Sequence, residues 1–562
     1  MSKIVSKSEK EIKEAIIKAL NAAMDKQDLP KSDIPDFKIE IPADRANGDY
    51  ASNAAMVSAR AFRMAPAKIA RIIVDNLDLS STYAKSAEIA GPGFINFRLS
   101  PKFYSDILED ITNQGENYGR SNFGKGKKVD VEFVSANPTG PMHIGNARGG
   151  ALGDCLAGVL DAAGYEVCRE FYINDAGNQI NKFGLSLEVR YLQLYKENVE
   201  MPEDAYHGQD ITCHAEAFAA IHGDSFVDCD SDTRRKALVE YALPLNIEGL
   251  ERDLEKYRIK YDVWFKESTL HQNGDVKKIV EILTEKGHTY EQDGAIWFKA
   301  EQFGADKDFV LVRSNGVPTY VVPDIAYHYN KLVTRGFDTA VDVLGADHHG
   351  YVPRLKAALQ ALSVDPDRLK VVLMQMVRLV RGGEAVKLSK RSGKAITLVT
   401  LLDDVPIDAA RFFFNLREPN THCEFDLDLA VEQSSENPVY YVQYAHARIC
   451  SILKNLAAEG ISPKVMSSSD LDILTAGEET ELIRHLAALT GEIIDASISL
   501  DPSKITRYAV ELATLFHKFY NSCRVRCDDE ALMYARLHLC ICTKTVLKNV
   551  LNLLKIDAPE TM

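Results

Sequence analysis

No stretch of the 562-residue chain approaches the 18 or so consecutive apolar residues that a membrane-crossing helix requires. The first twenty residues, MSKIVSKSEKEIKEAIIKAL, alternate charged and apolar side chains and lack the continuous apolar core of a secretory signal. A cytoplasmic location without a membrane partner is therefore expected. The ten cysteines include no CxxC pair. Their closest neighbours, Cys523/Cys527 and Cys540/Cys542, are flanked by Leu537, Leu539, Ile541 and Val546. That pattern reads as helix core with reduced, partly buried thiols, and no metal is expected. A GxSxG elbow or other nucleophile–base motif is missing, which argues against a covalent intermediate. Internal repeats and low-complexity tracts are missing too.

Positive charge is also in deficit. A net charge of −15 argues against a general nucleic-acid coat protein. The distribution is uneven, because residues 437–562 hold 13 Lys/Arg against 15 Asp/Glu. Lys504, Arg507, Lys518, Arg524, Arg526, Arg536, Lys544, Lys548 and Lys555 are spread along that part. Such spots suit a specific, salt-sensitive docking of RNA. They suit solvated helix faces equally well.

The length calls for three or four domains, and 46% hydrophobic with 26% charged residues is ordinary globular composition. Residues 8–26 read as a helix and 37–42 as a strand. Residues 51–74 read as helix broken at Pro66, and Gly91-Pro92-Gly93 leads into a strand at 94–99. This is an α+β unit, residues 1–115, followed by a Gly/Asn/Lys-rich linker at 111–128. From Val129 the pattern turns α/β: a strand, a loop, a helix at 150–163 and a strand at 166–173. Helices are expected at 186–196 and 233–261, within an insertion of about 190–305. The sheet should resume at 310–312, 320–322 and 339–344, with a helix at 353–362 and a strand at 370–376. Beyond Asn437-Pro438 the spacing is helical to the end. The expected architecture is α/β: a Rossmann-like, doubly wound parallel-sheet catalytic domain (116–435) between the α+β unit and an all-α domain (436–562).

Two segments carry chemistry. Val131–Asp154, VEFVSANPTGPMHIGNARGGALGD, has a β-branched lead-in, a tight Asn-Pro-Thr-Gly-Pro turn and a Gly-rich helix start. That layout presents backbone N–H groups and a positive dipole end to phosphates, with His143 as a further donor. An ordinary strand–helix connection has the same outline. The second segment, Val386–Gly393 (VKLSKRSG), places Lys387 and Lys390 beside Ser389 and Ser392. Such a cationic loop stabilises charge on transferring phosphates, though a solvated basic turn would look alike.

In this order the two segments resemble the paired signatures of class I aminoacyl-tRNA synthetases, with His143-Ile144-Gly145-Asn146 as the first and Lys387-Leu388-Ser389-Lys390-Arg391 as the second. SANPTGPMHIGNARGGALGD, RSNGVPTYVVPDIAYHYNK (313–331), GADHHGYVPRLKAAL (345–359) and ENPVYYVQYAHARI (436–449) together resemble the arginyl-tRNA synthetases of the bacterial type. GDYASNAAM (48–56) and AEIAGPGFINFRLSP (87–101) match as well, so the resemblance spans nearly the whole chain.

The resemblance implies a two-step reaction. L-Arginine attacks the α-phosphate of ATP, supplied as its Mg2+ complex, and the adenylate is then transferred to the 3′ end of tRNA(Arg). It implies that His143 and Asn146 donate to the ATP phosphates, with Gly145 under the adenine. Lys387, Ser389 and Lys390 would hold the departing pyrophosphate, and Asp347 and His348 would lie near the nucleotide. Asn146 stands where the family commonly has a second His, and it could instead simply cap the helix. Leu388 replaces the usual Met. Around arginine the resemblance places Glu132, Ser135, Asn137, Tyr320, Asp324 and His348, with Asp324 the bidentate partner of the guanidinium. Glu132 and Asp324 could otherwise be plain strand-end carboxylates. Asp347, His348 and His349 have metal-ligand chemistry, yet such turns bind nucleotide equally well. Among Tyr440, Tyr441, Gln443, Tyr444, His446 and Arg448, a subset should face tRNA, with Tyr441, Tyr444 and Arg448 favoured, while the rest pack. A monomer is expected, and the resemblance further implies an activation step that waits for tRNA gripped by the flanking domains. Two other functions stay open at this point: a tRNA-binding paralogue without catalysis, and a nucleotidyltransferase of the same superfold acting on a small molecule.

Overall fold

The computed structural model describes residues 3–386 and 396–562. The chain opens with helix α1 (Lys3–Asp25), which buries Ile12, Ile16, Ala19, Leu20 and Ala23 along one face. Strands β1 (Ile39–Glu40) and β2 (Tyr50–Ser52) precede helices α2 (Ala54–Phe62) and α3 (Pro66–Asp75). Pro66 starts α3 at its first turn, where a missing N–H costs nothing, so the helix breaks where the sequence predicts. Ala51, expected as helix, is instead in β2, paired with Asn96. Strands β3 (Ala84–Ala90) and β4 (Phe94–Leu99) complete an antiparallel sheet of order β1-β2-β4-β3. Helix α4 (Pro101–Gln114) follows.

The expected linker begins too early, because Ile111 lies within α4 and is fully buried. Its polar neighbours have tertiary partners. Thr112 Oγ1 meets His538 Nε2 at 3.0 Å, and Asn549 donates to the Gly115 carbonyl at 2.9 Å.

The second region is built on β5 (Lys128–Glu132), α5 (Ile144–Ala162) and β6 (Glu166–Ile173). Helices α6 (Gly177–Gln193), α7 (Gln209–His222) and α8 (Ser231–Lys256) form a module with its own apolar centre of Phe183, Leu187, Tyr191, Ile211, Phe218 and Leu238. After it come β7 (Val263–Lys266), α9 (Glu267–Gln272), α10 (Asp275–Glu285), β8 (Thr289–Gln292), β9 (Ala295–Phe298), β10 (Phe309–Val312), α11 (Val321–Tyr329), β11 (Thr339–Gly345), α12 (Val352–Ala361) and β12 (Leu369–Met374).

A five-stranded sheet of order β12-β11-β5-β6-β7 is parallel throughout. The chain winds from β5 toward β7, then returns to the other side for β11 and β12. The switch point therefore falls between β5 and β11, where α/β folds bind ligands at the strands' carboxyl ends.

Three sequence expectations are corrected here. Residues 310–312 are a strand, but β10 belongs to a separate antiparallel sheet of order β10-β9-β8. Residues 320–322 are not a strand: Val321 and Val322 open α11, where Val321, Val322, Ile325 and Ala326 are buried with helical spacing. A short apolar run does not distinguish the two states. The fifth parallel strand, β7, lies inside the range read as an insertion.

Strands β13 (Val377–Arg381) and β14 (Glu384–Ala385) make a hairpin whose Gly382 and Gly383 both have positive φ. Helices α13 (Leu398–Asp404) and α14 (Ile407–Phe414), strand β15 (Cys423–Asp426) and helix α15 (Leu427–Val431) lead to the C-terminal helices. These are α16 (Pro438–Ala458), α17 (Ser468–Leu471), α18 (Gly477–Ser499), α19 (Ser503–Ser522) and α20 (Glu530–Leu553). Cys540 and Cys542 are buried in α20, and burial pushes both thiols up to about 12, which keeps them protonated. Helix α4 packs against α17, α18 and α20, so the two ends of the chain touch. At that seam Arg484 meets Asp49 at 2.7 Å and the Tyr104 hydroxyl at 2.7 Å.

Candidate active site

The glycines after His143 do steric work within the fold. A Cβ on Gly153 would lie 2.2 Å from Phe133 Cγ, and one on Gly150 would lie 2.7 Å from Ile259 Cδ1. Helix α5 can therefore lie directly against β5 and bring its N-terminus to the switch point. His143 caps that helix, its Nδ1 accepting the Gly145 N–H at 3.1 Å. The ring proton must then sit on Nε2, leaving one outward donor. Partial burial lowers the pKa of His143, which favours the neutral ring.

Asn146 accepts the His143 N–H at 3.0 Å through its Oδ1, closing a capping box. The capping alternative is thus realised, and the amide NH2 is what remains for a ligand. The first signature is also tied to the far side of the basic loop. Leu398 N–H donates to the Met142 carbonyl at 2.8 Å, and His143 bridges Thr397. Lys387, Ser389 and Lys390 lie outside the described residues.

Glu132 ends β5 at the same edge. The Ser135 hydroxyl donates to one of its oxygens at 2.8 Å and Lys331 Nζ to the other at 2.6 Å. Asp324, on the first turn of α11, accepts the Tyr351 hydroxyl at 2.5 Å. Its carboxyl is pushed up to about 6 by burial, with Glu132 and Glu267 adding repulsion. Glu132 and Glu267 thus lie close enough to Asp324 for their charge to act on it.

Glu267, at the start of α9, is buried, and its charge also reaches Tyr172. Sequence reasoning missed both residues. The signal available for Glu267 was a carboxylate at the end of the apolar VWFK strand, within the range set aside as insertion. Tyr320 stands at the rim, 74% exposed and stacked on Tyr351 at 6.5 Å. Asn137 is exposed on the turn after β5. Asp347, His348 and His349 are exposed on the 3-10 turn that follows β11, with His348 3.9 Å from Asp347.

Beneath the carboxylates lies a buried charge network that the sequence did not reveal. Lys331 Nζ contacts Asp130 at 2.9 Å, Glu132 at 2.6 Å and Asp342 at 3.2 Å. Arg335 meets Glu170 at 2.5 Å and Asp130 at 3.3 Å, and His328 Nε2 meets Asp342 at 2.7 Å. A π-helical turn, Asn330–Thr334, extends α11 and carries Lys331 under the sheet. Burial opposes charge throughout the network. Asp342 nevertheless stays well below the usual carboxylate range because Lys331 and His328 face it. Asp130, crowded by Glu170 and Glu132, is pushed up to about 6 by burial despite Lys331. Four buried carboxylates thus surround two permanent cations and His328, whose charged form Asp342 favours, so the network keeps a net negative charge. Asp130, Cys168 and Glu170 bring together three ligand-type atoms, but Lys331 and Arg335 already occupy the cation's place.

A second candidate site lies on α16. Ser435, Tyr440, Tyr441, Tyr444, Arg448, His517 and Asn521 line a cavity of about 450 Å³. The Arg448 guanidinium sits 4.9 Å from the ring centres of both Tyr444 and Tyr520 and donates to the Tyr444 hydroxyl at 3.1 Å. His517 is lowered to about 4 by burial and by Arg448, so it is neutral near pH 7. Gln443 and His446 turn inward, where Gln443 donates to Asp408 at 2.8 Å and His446 meets the Pro559 carbonyl at 2.8 Å. Partly exposed aromatic rings beside a guanidinium suit stacking of unpaired bases.

A parallel sheet with a histidine-capped Gly-rich helix at its switch point, followed by a lysine signature and an all-helical C-terminal region, defines the class I aminoacyl-tRNA synthetases. Comparison with known proteins narrows the class. Residues 107–449 match the profile "tRNA synthetases class I (R), catalytic domain", 10–99 match "Arginyl tRNA synthetase N terminal domain", and 442–562 match "DALR anticodon binding domain". The arginine–tRNA ligase of Caldanaerobacter subterraneus subsp. tengcongensis is 56% identical over 562 residues, covering 100% of both chains. That of Acetivibrio thermocellus is 52% identical, again over 100% of both. The Thermus thermophilus arginyl-tRNA synthetase structure shares the fold, with a TM-score of 0.73 at 22% identity over 98% of this chain and 100% of that one. The chain belongs to the arginyl-tRNA synthetase family.

Proposed function

We propose that the chain activates L-arginine with ATP and transfers the arginyl group to the 3′ end of tRNA(Arg), releasing AMP. The observation that carries the reading is Asp324, raised by burial under the charge of Glu132 and Glu267, with Glu132 ending the strand that leads into the capped helix at His143. Arginine brings two positive groups, and a carboxylate cluster over a negative network suits both. Asp324 is the guanidinium partner, with Tyr351 orienting it. Ser135 and Asn137 serve the α-amino and carboxylate end, and Tyr320 and His348 close the rim.

ATP enters as its Mg2+ complex. His143 Nε2–H and the Asn146 amide donate to its phosphates, with Gly145 under the adenine and Asp347 and His348 on the nucleotide side. Lys387, Ser389 and Lys390 hold the pyrophosphate. No covalent enzyme intermediate is needed, because placing the arginine carboxylate in line with the α-phosphate and stabilising the departing charge lowers the barrier.

Residues 1–115 and 436–562 flank the catalytic region 116–435, and Tyr441, Tyr444 and Arg448 contact tRNA. The α4 seam gives these outer regions a direct path to one another, which supports activation that waits for tRNA. The protein is taken to act as a cytoplasmic monomer. Charging of total tRNA with each of the twenty amino acids tests the proposal, and arginine alone should be incorporated. ATP–pyrophosphate exchange with arginine should rise from near background when cognate tRNA is added. Charging of another amino acid overturns the substrate, and full exchange without tRNA overturns the coupling.

A further inference from the structure

The turn that carries Ser135 and Asn137 is only partly held from within, by the Ser135 N–H to the Phe133 carbonyl at 3.0 Å and the Ser135 hydroxyl to Glu132, and β6 adds the Tyr172 N–H to the Ser135 hydroxyl at 3.1 Å. Val134 and Ser135 both have positive φ, 69° and 39°, which is unfavourable for any residue with a Cβ and most so for β-branched Val. Such a segment persists only when its surroundings fix it. Two of its carbonyls are satisfied by one stretch of chain. The Tyr261 hydroxyl donates to the Phe133 carbonyl at 2.9 Å, and Asn246 Nδ2 donates to the Pro138 carbonyl at 2.9 Å.

Asn246 is itself oriented. Its Oδ1 lies 2.7 Å from His214 Nε2, and since that oxygen can only accept, the histidine donates. The chain therefore runs from His214 through Asn246 to Pro138. His214 is on α7 and Asn246 on α8. Asp210, also on α7, faces the same turn, 3.5 Å from where a Gly140 Cβ would stand.

Helix α8 links two cores. Leu238 and Ala242 pack in the α6–α8 module, whereas Leu250 and Leu254 pack in the main core. Pro244 sits inside the helix at the junction, where it removes a backbone hydrogen bond. Asn246 is two residues beyond it. The downstream end of the turn is anchored separately, by the Leu398 bond to Met142 and the helix cap at His143.

We infer that His214 and Asn246 are positioning residues for the amino-acid substrate, through which the α6–α8 module sets the Asn137–Gly140 turn. The inference rests on the reading that Ser135 and Asn137 touch arginine. It predicts a split that general loss of stability would not give. In Asn246→Ala and in His214→Ala the KM for arginine should rise about fivefold, the effect of one misaligned polar contact. The KM for ATP and the Tm should stay close to those of the parent. His214→Gln, whose amide donor reaches the same place, should restore the arginine KM. If Asn246→Ala does not fold, the partly exposed His214 pair carries the test. An unchanged arginine KM in both alanine variants, or a joint rise in both KM values with a lower Tm, overturns the inference. Asn137→Ala separates the two readings. If it raises the arginine KM while Asn246→Ala and His214→Ala do not, only the positioning role fails. If Asn137→Ala has no effect on arginine, the site reading fails and the inference with it.

Discussion

The pocket at the sheet edge and the cavity on α16, the proposed seats of arginine and of tRNA, are built in opposite ways. Around Asp324 the groups are carboxylates withdrawn from water, held by Lys331, Ser135 and Tyr351 over a negative floor. On α16 the charge is one guanidinium laid across tyrosine rings at a half-exposed surface. A small cation with few atoms must be told from neutral look-alikes, which requires fixed charges in low dielectric. A large polyanion offers many contacts, so exposed, salt-screened groups and stacking suffice. The difference teaches where mutations should hurt: sharply and for one ligand in the pocket, broadly and weakly on the helix.

The largest expected effect comes from the floor. Lys331→Met leaves Asp130, Glu132 and Asp342 without their shared cation, and breaking a buried pair of this kind costs about 3–5 kcal/mol. Chemical denaturation should show that loss. A stability within 1 kcal/mol of the parent, measured the same way, would mean that the network is not under electrostatic tension.

Next comes Asp324→Asn, which turns a charge-assisted pair into a neutral contact at a cost of about 2–4 kcal/mol for arginine. Steady-state kinetics should show the change in the arginine KM with the ATP KM little moved. The pH dependence follows from the same group. With its carboxyl near 6 in the free protein, Asp324 is protonated below that pH and cannot pair with the guanidinium. Apparent arginine affinity should fall about tenfold per pH unit below 6 and level off above 7. Asp324→Asn should lose that limb.

Arg448→Ala should raise the KM for tRNA by about 1–2 kcal/mol in equivalent free energy and make it less salt-dependent. Arginine activation in saturating tRNA should not change. The smallest effect is no effect: with His517 at about 4, tRNA affinity should be flat from pH 5 to 7, where arginine affinity changes. A tRNA KM that tracks the arginine limb would dissolve the contrast between the two sites.

Much of the frame is visible in the chain itself. β5, β6, β11 and β12 each start two or three residues after a Gly or Pro and hold at least two β-branched residues, and the structure places them where the pattern does. The run at Tyr320–Val322 misled because three apolar residues fit either period, and packing against α10 and α12 decides for helix. β7 was hidden in a polar stretch that its four residues could not outweigh. The first signature was legible because its turn and glycines are local. Glu132 and Asp324 were placed by resemblance alone. Glu267, Lys331, Arg335 and Asp342 were not seen at all, since a buried pair is defined by strands and helices remote in sequence. Asn246 belongs with these, an unremarkable polar residue on a helix until Pro138 is found beneath it.

The central claim is that fixed negative charge in the sheet-edge pocket selects the amino acid. Citrulline tests it most directly, because it keeps the shape of arginine and replaces the guanidinium by a neutral urea. Inhibition of arginine charging by citrulline, measured at pH 7.5 with saturating ATP and tRNA, should require a concentration at least about a thousandfold above the arginine KM. Citrulline binding within about tenfold of arginine would contradict the account.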